Sequence, residues 1–135
     1  MTLKGIRDAL QTALETVSGL RVHDTVPEGI MEVPCAWITP RSGTYPRTFT
    51  SAAMDHQLEV TVLVQRMGDA EERQDTLDDY LDPTGSSSLL AALDATDLGA
   101  HGSSLQVRGY RDYGSYEFGE QSYLGFKLDV EVFVG

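Results

Sequence analysis

Residues 123–134, YLGFKLDVEVFV, alternate apolar and polar side chains along nearly their whole length. Successive side chains of a β-strand point to opposite faces of a sheet, so this alternation predicts a long strand with one buried face. The residues predicted to share that face are Leu124, Phe126, Leu128, Val130, Val132 and Val134. Such a face must be covered by other elements, and the preceding sequence supplies candidates for them.

Three further stretches predict strands of the same sheet. Residues 56–66, HQLEVTVLVQR, alternate strictly. Residues 104–112, SLQVRGYRD, are predicted to form a C-terminal hairpin with the last strand. Residues 35–39, CAWIT, are a brief apolar run that we expect to end at Pro40. The alternation assigns to the opposite, mixed face Glu59, Thr61, Leu63, Gln65, Gln106, Arg108, Tyr110, Lys127, Asp129, Glu131 and Phe133.

The N-terminal segment predicts an amphipathic helix. Apolar side chains recur there at steps of three and four, which places them on one helix face: Leu3, Ile6, Leu10, Leu14 and Val17. Thr2 is the expected N-terminal cap and Gly19 the expected end. This helix is the first candidate to cover the apolar face of the sheet.

Two more helices are predicted between the central and the C-terminal strands. An acidic helix begins near Asp69 and runs to about Leu81, and Ser86 or Ser87 caps a short helix that contains Leu93. The fold class that follows is α+β, with a mostly antiparallel sheet of about four strands and helices packed on one face. Residues 1–135 have the length of one domain.

The charge balance limits the possible partners. The chain carries 21 acidic and 10 basic residues, a formal net charge of −11, whereas nucleic-acid binding depends on clustered Lys and Arg. The single cysteine, Cys35, cannot form an intramolecular disulfide. No apolar run is long enough for a membrane span, and the acid-containing N-terminus is unlike a signal peptide. We therefore expect a soluble intracellular product.

No catalytic or metal-binding motif emerges from the sequence. The histidines His23, His56 and His101 lack the spacing of a metal site. Cys35 would need His23 or His56 beside it to act as a nucleophile, and its position in an apolar run favours a core role. We predict a protein that is not an enzyme and that needs no cofactor or metal.

Aromatic residues are concentrated near the C-terminal hairpin, in residues 109–126, GYRDYGSYEFGEQSYLGF. A platform for nucleic-acid bases needs a positive groove, and acidic residues surround these rings. Some of these side chains are expected to be simple edge residues of a strand. The alternative that we favour is a protruding hairpin tip, residues 111–122, that contacts another protein. The candidate contact residues are Tyr110, Tyr113, Tyr116 and Phe118.

A second candidate contact segment is residues 40–55, predicted to be a long protruding loop. Its first fifteen residues contain no acid, whereas residues 69–82 carry a charge of −6. This segregation suggests that the basic loop of one subunit lies against the acidic helix of a neighbour or against another protein. The candidate residues of the loop are Arg41, Tyr45, Arg47 and Phe49.

The order of these features resembles a known family. The helix ending in GLRVHDTVP, the strands PCAWITP and QLEVTVLVQR, and the pieces LDDYLDPTGSSSLLAALDA and TDLGAHGSS follow one another as in tail terminator proteins of long, non-contractile-tailed phages, particularly those of actinobacteria. The resemblance covers the whole chain. It implies a small subunit of a hexameric ring at the head-proximal end of the tail tube, which stops tube growth and presents a docking surface to the head.

The resemblance also implies the partners. They are further copies of the chain, the tail tube protein and the head-tail connector protein, with DNA passing through the ring without specific binding. Its implied location is the virion tail or neck, after assembly in the host cytoplasm, with no membrane contact. The family has no catalytic residues to carry over. Another neck protein, such as a stopper or adaptor, or a minor tail protein is a related alternative, and a small-ligand binding module is a different one.

Overall fold

A five-stranded sheet with helices against one face dominates the structure, a computed structural model that describes residues 3–17, 20–23, 34–44, 54–66, 78, 80–81, 88–94, 104–118 and 121–134. The elements in chain order are α1 (Leu3–Glu15), β1 (Arg21–His23), β2 (Cys35–Thr44), β3 (Met54–Arg66), α2 (Leu89–Asp94), β4 (Ser104–Phe118) and β5 (Gln121–Val134). Residues 78, 80 and 81 also have helical backbone. The α+β class is confirmed.

The strands lie in the order β1-β2-β3-β5-β4. Only the β1–β2 pair is parallel, and the other three pairs are antiparallel. The prediction of about four strands was therefore one short. The missing strand is β1, whose three residues are too few to show an alternation and which is a strand because it pairs with the start of β2.

The main core lies between the sheet and the helices. The apolar faces predicted for β3 and β5 from their alternation are confirmed. The side chains buried on this side are those of Leu58, Val60, Val62, Val64, Phe126, Leu128, Val130 and Val132. The predicted helix face is confirmed as well, with Ile6, Leu10, Leu14 and Val17 buried against the sheet. Burial of such side chains stabilises the fold by roughly 1.5–3 kcal/mol each.

A second cluster of buried side chains lies on the opposite face of the sheet, which we call the outer face. It consists of Cys35, Trp37, Leu63 and Tyr123, with Tyr116 packed against it. The sheet is thus buried on both faces where the starts of β2 and β5 meet the end of β3. The prediction of helices on one face and a mixed surface on the other is only a coarse description of this arrangement.

β2 does not end at Pro40, contrary to the sequence prediction. Pro40 pairs with Leu58 and Ser42 with Gln57, so Arg41 is the extra residue of a β-bulge, and β2 continues to Thr44. A proline is tolerated beside a bulge because the ladder hydrogen bonds are interrupted there. The first residues of the predicted loop 40–55 are consequently strand, and residues 45–53 lie outside the described part of the chain.

Two more bulges lie in β4. Val107 pairs with Val130 and Gly109 with Asp129, so Arg108 is unpaired. The Arg108 side chain lies on the outer face, where it contacts Glu131. The alternation is shifted by one residue beyond this point. Tyr110 therefore lies opposite Leu128 on the helix side of the sheet, and its predicted place on the outer face is wrong.

The second bulge of β4 lies between Arg111 and Gly114. It includes Asp112, whose φ of 54° falls in the left-handed region that aspartate tolerates better than most residues. Beyond it the ladder continues to Phe118, which pairs with Gln121. The predicted hairpin tip 111–122 is thus mostly paired strand.

The short helix α2 begins one or two residues later than predicted. The Ser88 hydroxyl accepts a hydrogen bond from the Ala91 amide at 3.1 Å, so Ser88 is the N-terminal cap instead of Ser86 or Ser87. Leu89 and Leu93 are buried against the core. The predicted caps Thr2 and Gly19 of α1, and most of the predicted acidic helix, lie outside the described residues.

Gly125 permits a close approach of β5 to β3 beside the second cluster. A Cβ atom there would overlap the Val62 carbonyl oxygen and lie 2.9 Å from Leu63 Cδ2. We predict that Gly125→Ala lowers the free energy of unfolding, measured by urea denaturation, by about 1–3 kcal/mol, the usual cost of overpacking. Gly114, its partner on β4, is the control, because a Cβ there meets nothing within 4 Å. Equal stability of Gly125→Ala and Gly114→Ala would contradict this close approach.

Candidate interaction surface

The outer face carries a network of ion pairs across three strands, centred on Arg111 of β4. Its Nε lies 3.1 Å from both carboxylate oxygens of Asp129 on β5, and its Nη2 hydrogen-bonds Glu59 on β3. Its Nη1 is 2.7 Å from the Asp112 carboxylate. Lys127 adds a second cation, with Nζ 3.6 Å from Glu59. Arg111 therefore connects the edge strand to the centre of the sheet.

The network is only partly screened by water, since the Glu59 side chain is 13% exposed and that of Arg111 30%. Partial desolvation lowers the pKa of the Arg111 guanidinium, but the hydrogen bonds and charges of Asp129 and Glu59 outweigh this effect and raise it overall. Arg111 is therefore charged at every pH at which the protein is folded. Its fork of donors suits two carboxylates on neighbouring strands better than the single ammonium of a lysine does.

Two more arginines stand beside the network, at the bulges of β2 and β4. Arg41 Nη1 lies 3.2 Å from Asp129 Oδ1, while Arg108 Nε and Nη2 lie 2.9 and 2.8 Å from Glu131 Oε2. Their side chains are 50% and 54% exposed. Between them lies an open groove of about 260 Å³, whose floor includes Gln57, Leu58 and Val130. Each arginine has a carboxylate partner, so the groove is balanced in charge.

A second depression lies at the outer edge of β4, on the helix side. Tyr110 is 59% exposed and stands beside a cavity of about 190 Å³. The lining is mainly apolar: Tyr80, Leu81, Val107, Gly109 and Leu128, with Arg108 at the rim. Among the described strands, β4 pairs only with β5, so its other edge is open beside this cavity. An exposed ring and an open strand edge are typical of a surface that meets another protein.

The other hairpin aromatics make contacts within the chain. Tyr113 packs against the main core and donates a hydrogen bond to Asp78 Oδ1 at 3.2 Å. Tyr116 packs against the second cluster, and its hydroxyl donates to the Asp112 carbonyl oxygen at 2.6 Å. Lys127 Nζ lies 5.8 Å from the Tyr116 ring centroid. Phe118 is described only by its backbone in β4. Among the hairpin aromatics whose side chains are described, Tyr110 is thus the most exposed.

Of the four candidate contact residues in the predicted loop, the structure describes Arg41 alone. Tyr45, Arg47 and Phe49 lie outside the described residues, as does most of residues 69–82. Arg41 takes Asp129 of its own chain as partner. The hypothesis that a basic loop meets an acidic helix of a neighbour stays a prediction.

Cys35 lies where the sequence predicted, in the core. It belongs to the fully buried second cluster, and burial raises the pKa of its thiol to about 11. Its thiol is therefore protonated near neutral pH, the unreactive form. Among the described residues, no group of three His, Cys, Asp or Glu side chains is placed to hold a metal ion.

The sequence reasoning missed two parts of this surface. The first is the carboxylate set Glu59, Asp129 and Glu131, which was assigned to the outer face but not to a site. Opposite charges on neighbouring alternating strands are the signal that could have revealed it. The second is Phe133 at the end of β5, which is 45% exposed on the outer face. The signal in the sequence was that the alternation of β5 places this large apolar side chain on the face opposite the core.

The comparisons with protein family models and with curated proteins identify no relative. No protein family model matches the chain. No curated protein matches it either. In the described residues, none of the helices has the length and apolar character needed to cross a membrane.

The ion-pair network gives a stability prediction. Arg111→Gln leaves the largely buried Glu59 with Lys127 as its nearest described cation, so we expect the free energy of unfolding to fall by about 1–3 kcal/mol. Arg108→Gln is the matched control, because its more exposed pair with Glu131 is expected to contribute less than about 1 kcal/mol. Urea denaturation of both variants measures the difference. A larger loss for Arg108→Gln would show that Arg111 is not the central residue.

Tyr116 gives a pH prediction. Burial, and next the charge of Asp112, raise its pKa from 10.0 to about 12, so its contribution to stability is complete below pH 10 and is lost as the pH rises through 12. We expect Tyr116→Phe to cost about 1 kcal/mol at neutral pH, for the lost hydrogen bond. The difference between wild type and variant in urea denaturation should then shrink above pH 10. A difference that stays constant to the highest accessible pH would contradict this.

Proposed function

We propose that this chain is a structural virion protein, the tail terminator of a long-tailed, non-contractile phage. It forms a hexameric ring on the head-proximal end of the tail tube, ends tube growth and offers the surface to which the head connector binds. The resemblance of the whole chain to that family supplies the specific role. The structural observation that carries the proposal is the edge of β4 that no described strand covers, where Tyr110 stands exposed beside an apolar cavity.

That edge supports an assembly role on physical grounds. An unpaired strand edge with an exposed aromatic ring favours contact with another polypeptide. Monomeric proteins usually protect such edges with charges or bulges. In β4 the two bulges have Gly109 and Tyr110 between them, and both of these residues are exposed. Tyrosine buries a large area in an interface at a low cost in side-chain entropy. A subunit that joins copies of itself and other virion proteins would contact them through a surface of this kind.

The charge of the chain supports a ring through which DNA passes. Six copies of a chain with a net charge of −11 would carry roughly −66, and such a field repels phosphate. DNA would then slide through the lumen without binding to its wall. This net charge already includes the cations of the outer face. Arg41, Arg108, Arg111 and Lys127 are each paired there with a carboxylate, so they do not form an unpaired basic patch for phosphate.

A small-ligand binding module is the alternative that one observation favours. The groove of about 260 Å³ between Arg41 and Arg108 has two exposed guanidinium groups at its sides, which would suit a small anion. The groove is smaller than most ligand pockets, and an anion would have to compete with Asp129 and Glu131 for the arginines. A related neck protein or minor tail protein would use the β4 edge as a terminator does.

The test is electron microscopy of the purified chain, alone and mixed with tail tubes of the same phage. We expect six-fold rings, and gold-labelled protein at one end of each tube, with tubes that no longer lengthen. An unrelated protein of similar acidity serves as the control for nonspecific binding to the tube.

A monomer that binds neither tube end would contradict the proposal. If its melting temperature also rose with inorganic phosphate or a small carboxylate, the binding module would replace the terminator. Label at the head-side connector instead of the tube end would indicate another neck protein.

A further inference from the structure

We propose that Arg111 is an ionic latch for the edge of the sheet. Residues 109–111, which we call the central segment of β4, open from β5 while the rest of the sheet stays folded, and ionic strength sets the balance between the two states. Proteins open locally where few buried contacts hold a segment, at a free energy below that of global unfolding. The latch is a property of the single chain and does not depend on the proposed ring.

The two bulges of β4 set the central segment apart from the rest of the strand. They interrupt the ladder on both sides of it, at Arg108 and beyond Arg111. Three ladder pairs lie between them: Gly109 with Asp129, Tyr110 with Leu128, and Arg111 with Lys127. Because a bulge disrupts the ladder where it occurs, the two bulges are the natural boundaries of a local opening.

Core packing holds the two ends of β4 more firmly than its central segment. The β4 side chains that pack against the buried clusters lie on either side of the segment: Leu105, Val107, Tyr113 and Tyr116. Within the segment, Gly109 has no side chain and Tyr110 is 59% exposed. Among the described strands, β4 pairs only with β5. Arg111 is therefore the main side-chain attachment of the segment within the described part of the chain.

Both cross-strand partners of Arg111 have a second cation beside them. Lys127 Nζ lies 3.6 Å from Glu59, and Arg41 Nη1 lies 3.2 Å from Asp129. When Arg111 withdraws into solvent, neither carboxylate is left without a cation, so the large cost of an unpaired and partly buried charge is avoided. The pair of Arg111 with Asp112 is within β4 and does not tie the strand to the sheet. The network thus has two arrangements of its charges, as a two-state element requires.

Dissolved salt acts on this balance through the exposed side of the network. The Arg111 and Asp129 side chains are 30% and 32% exposed, so ions reach their pair. The screening length falls from roughly 10 Å at 0.1 M salt to roughly 3 Å at 1 M. Screening weakens the attraction that closes the central segment, whereas it does not weaken the core packing at the two ends of β4. The open state is therefore more populated at high ionic strength.

The test is amide hydrogen exchange, followed by mass spectrometry with fragmentation that resolves single residues. It is read as protection factors of the amides that join residues 109–111 to residues 127–129. In the wild type we expect faster exchange there than at Val60 and Val62 of β3, with a weaker dependence on urea, because a local opening exposes little surface. Raising NaCl from about 0.05 M to about 0.5 M should accelerate it further.

Two variants should change this exchange in opposite directions. Arg111→Gln removes the latch and should accelerate exchange about tenfold, the effect of losing hydrogen bonds between charged groups. Arg41→Gln removes the second cation of Asp129, so opening would leave that carboxylate with no described cation, and exchange should slow about threefold. A purely structural role of these arginines predicts slower exchange in neither variant. Arg108→Gln is the matched control and should leave the exchange unchanged, because its pair with Glu131 lies outside the central segment.

Exchange in the central segment that matches β3 in rate and urea dependence would overturn the latch, because β4 would then open only by global unfolding. Exchange that Arg111→Gln leaves unchanged, or that Arg41→Gln accelerates, would overturn it as well. If Arg111→Gln does not fold, the salt series and Arg41→Gln decide. Analytical ultracentrifugation checks that the compared samples have the same assembly state.

Discussion

The β-bulges of β2 and β4 decide which side chains reach each face of the sheet. Arg41 and Arg108 are the unpaired residues of two of them, and both are directed to the outer face beside the same groove. The bulge at Arg108 also turns Tyr110 to the helix side. A bulge interrupts ladder hydrogen bonds and changes the face of the sheet to which the following side chains point. The groove, the ion pairs and the exposed ring all depend on this local irregularity.

The outer face combines two physical environments on one sheet. At one end Cys35, Trp37, Leu63 and Tyr123 are buried, and Gly125 allows the strands to approach closely there. Further along, the ion pairs around Arg111 replace apolar packing. Cross-strand pairs of opposite charge stabilise a sheet only modestly when exposed, whereas the Glu59 side chain is only 13% exposed here. Loss of Arg111 would leave this largely buried carboxylate with Lys127 as its remaining described cation. The edge strand β4 is held to the sheet by this network as well as by its ladder.

This arrangement fits the proposed role of a protein that acts by contacting other proteins. The described cations of the outer face are paired within the chain, so the excess of acidic charge remains for the rest of the surface. A partner then meets either a charge-balanced face or the apolar edge at Tyr110, and neither attracts nucleic acid. The ring subunit that we propose would need a surface of this kind, one that contacts protein and does not bind phosphate.

The sequence by itself determined the apolar stripes of α1, β3 and β5 and the core position of Cys35, because burial imposes a period that can be read along the chain. It also indicated Arg41 and Tyr110 as surface residues. Only the tertiary structure decided the strand β1, the bulges and the partners of Arg111, which lie 18 and 52 residues away in the chain. Register and bulges depend on pairing between distant strands, and no spacing within one strand encodes them. Tertiary pairing is therefore the reason that Tyr113 and Tyr116 make contacts within the chain while Tyr110 is exposed.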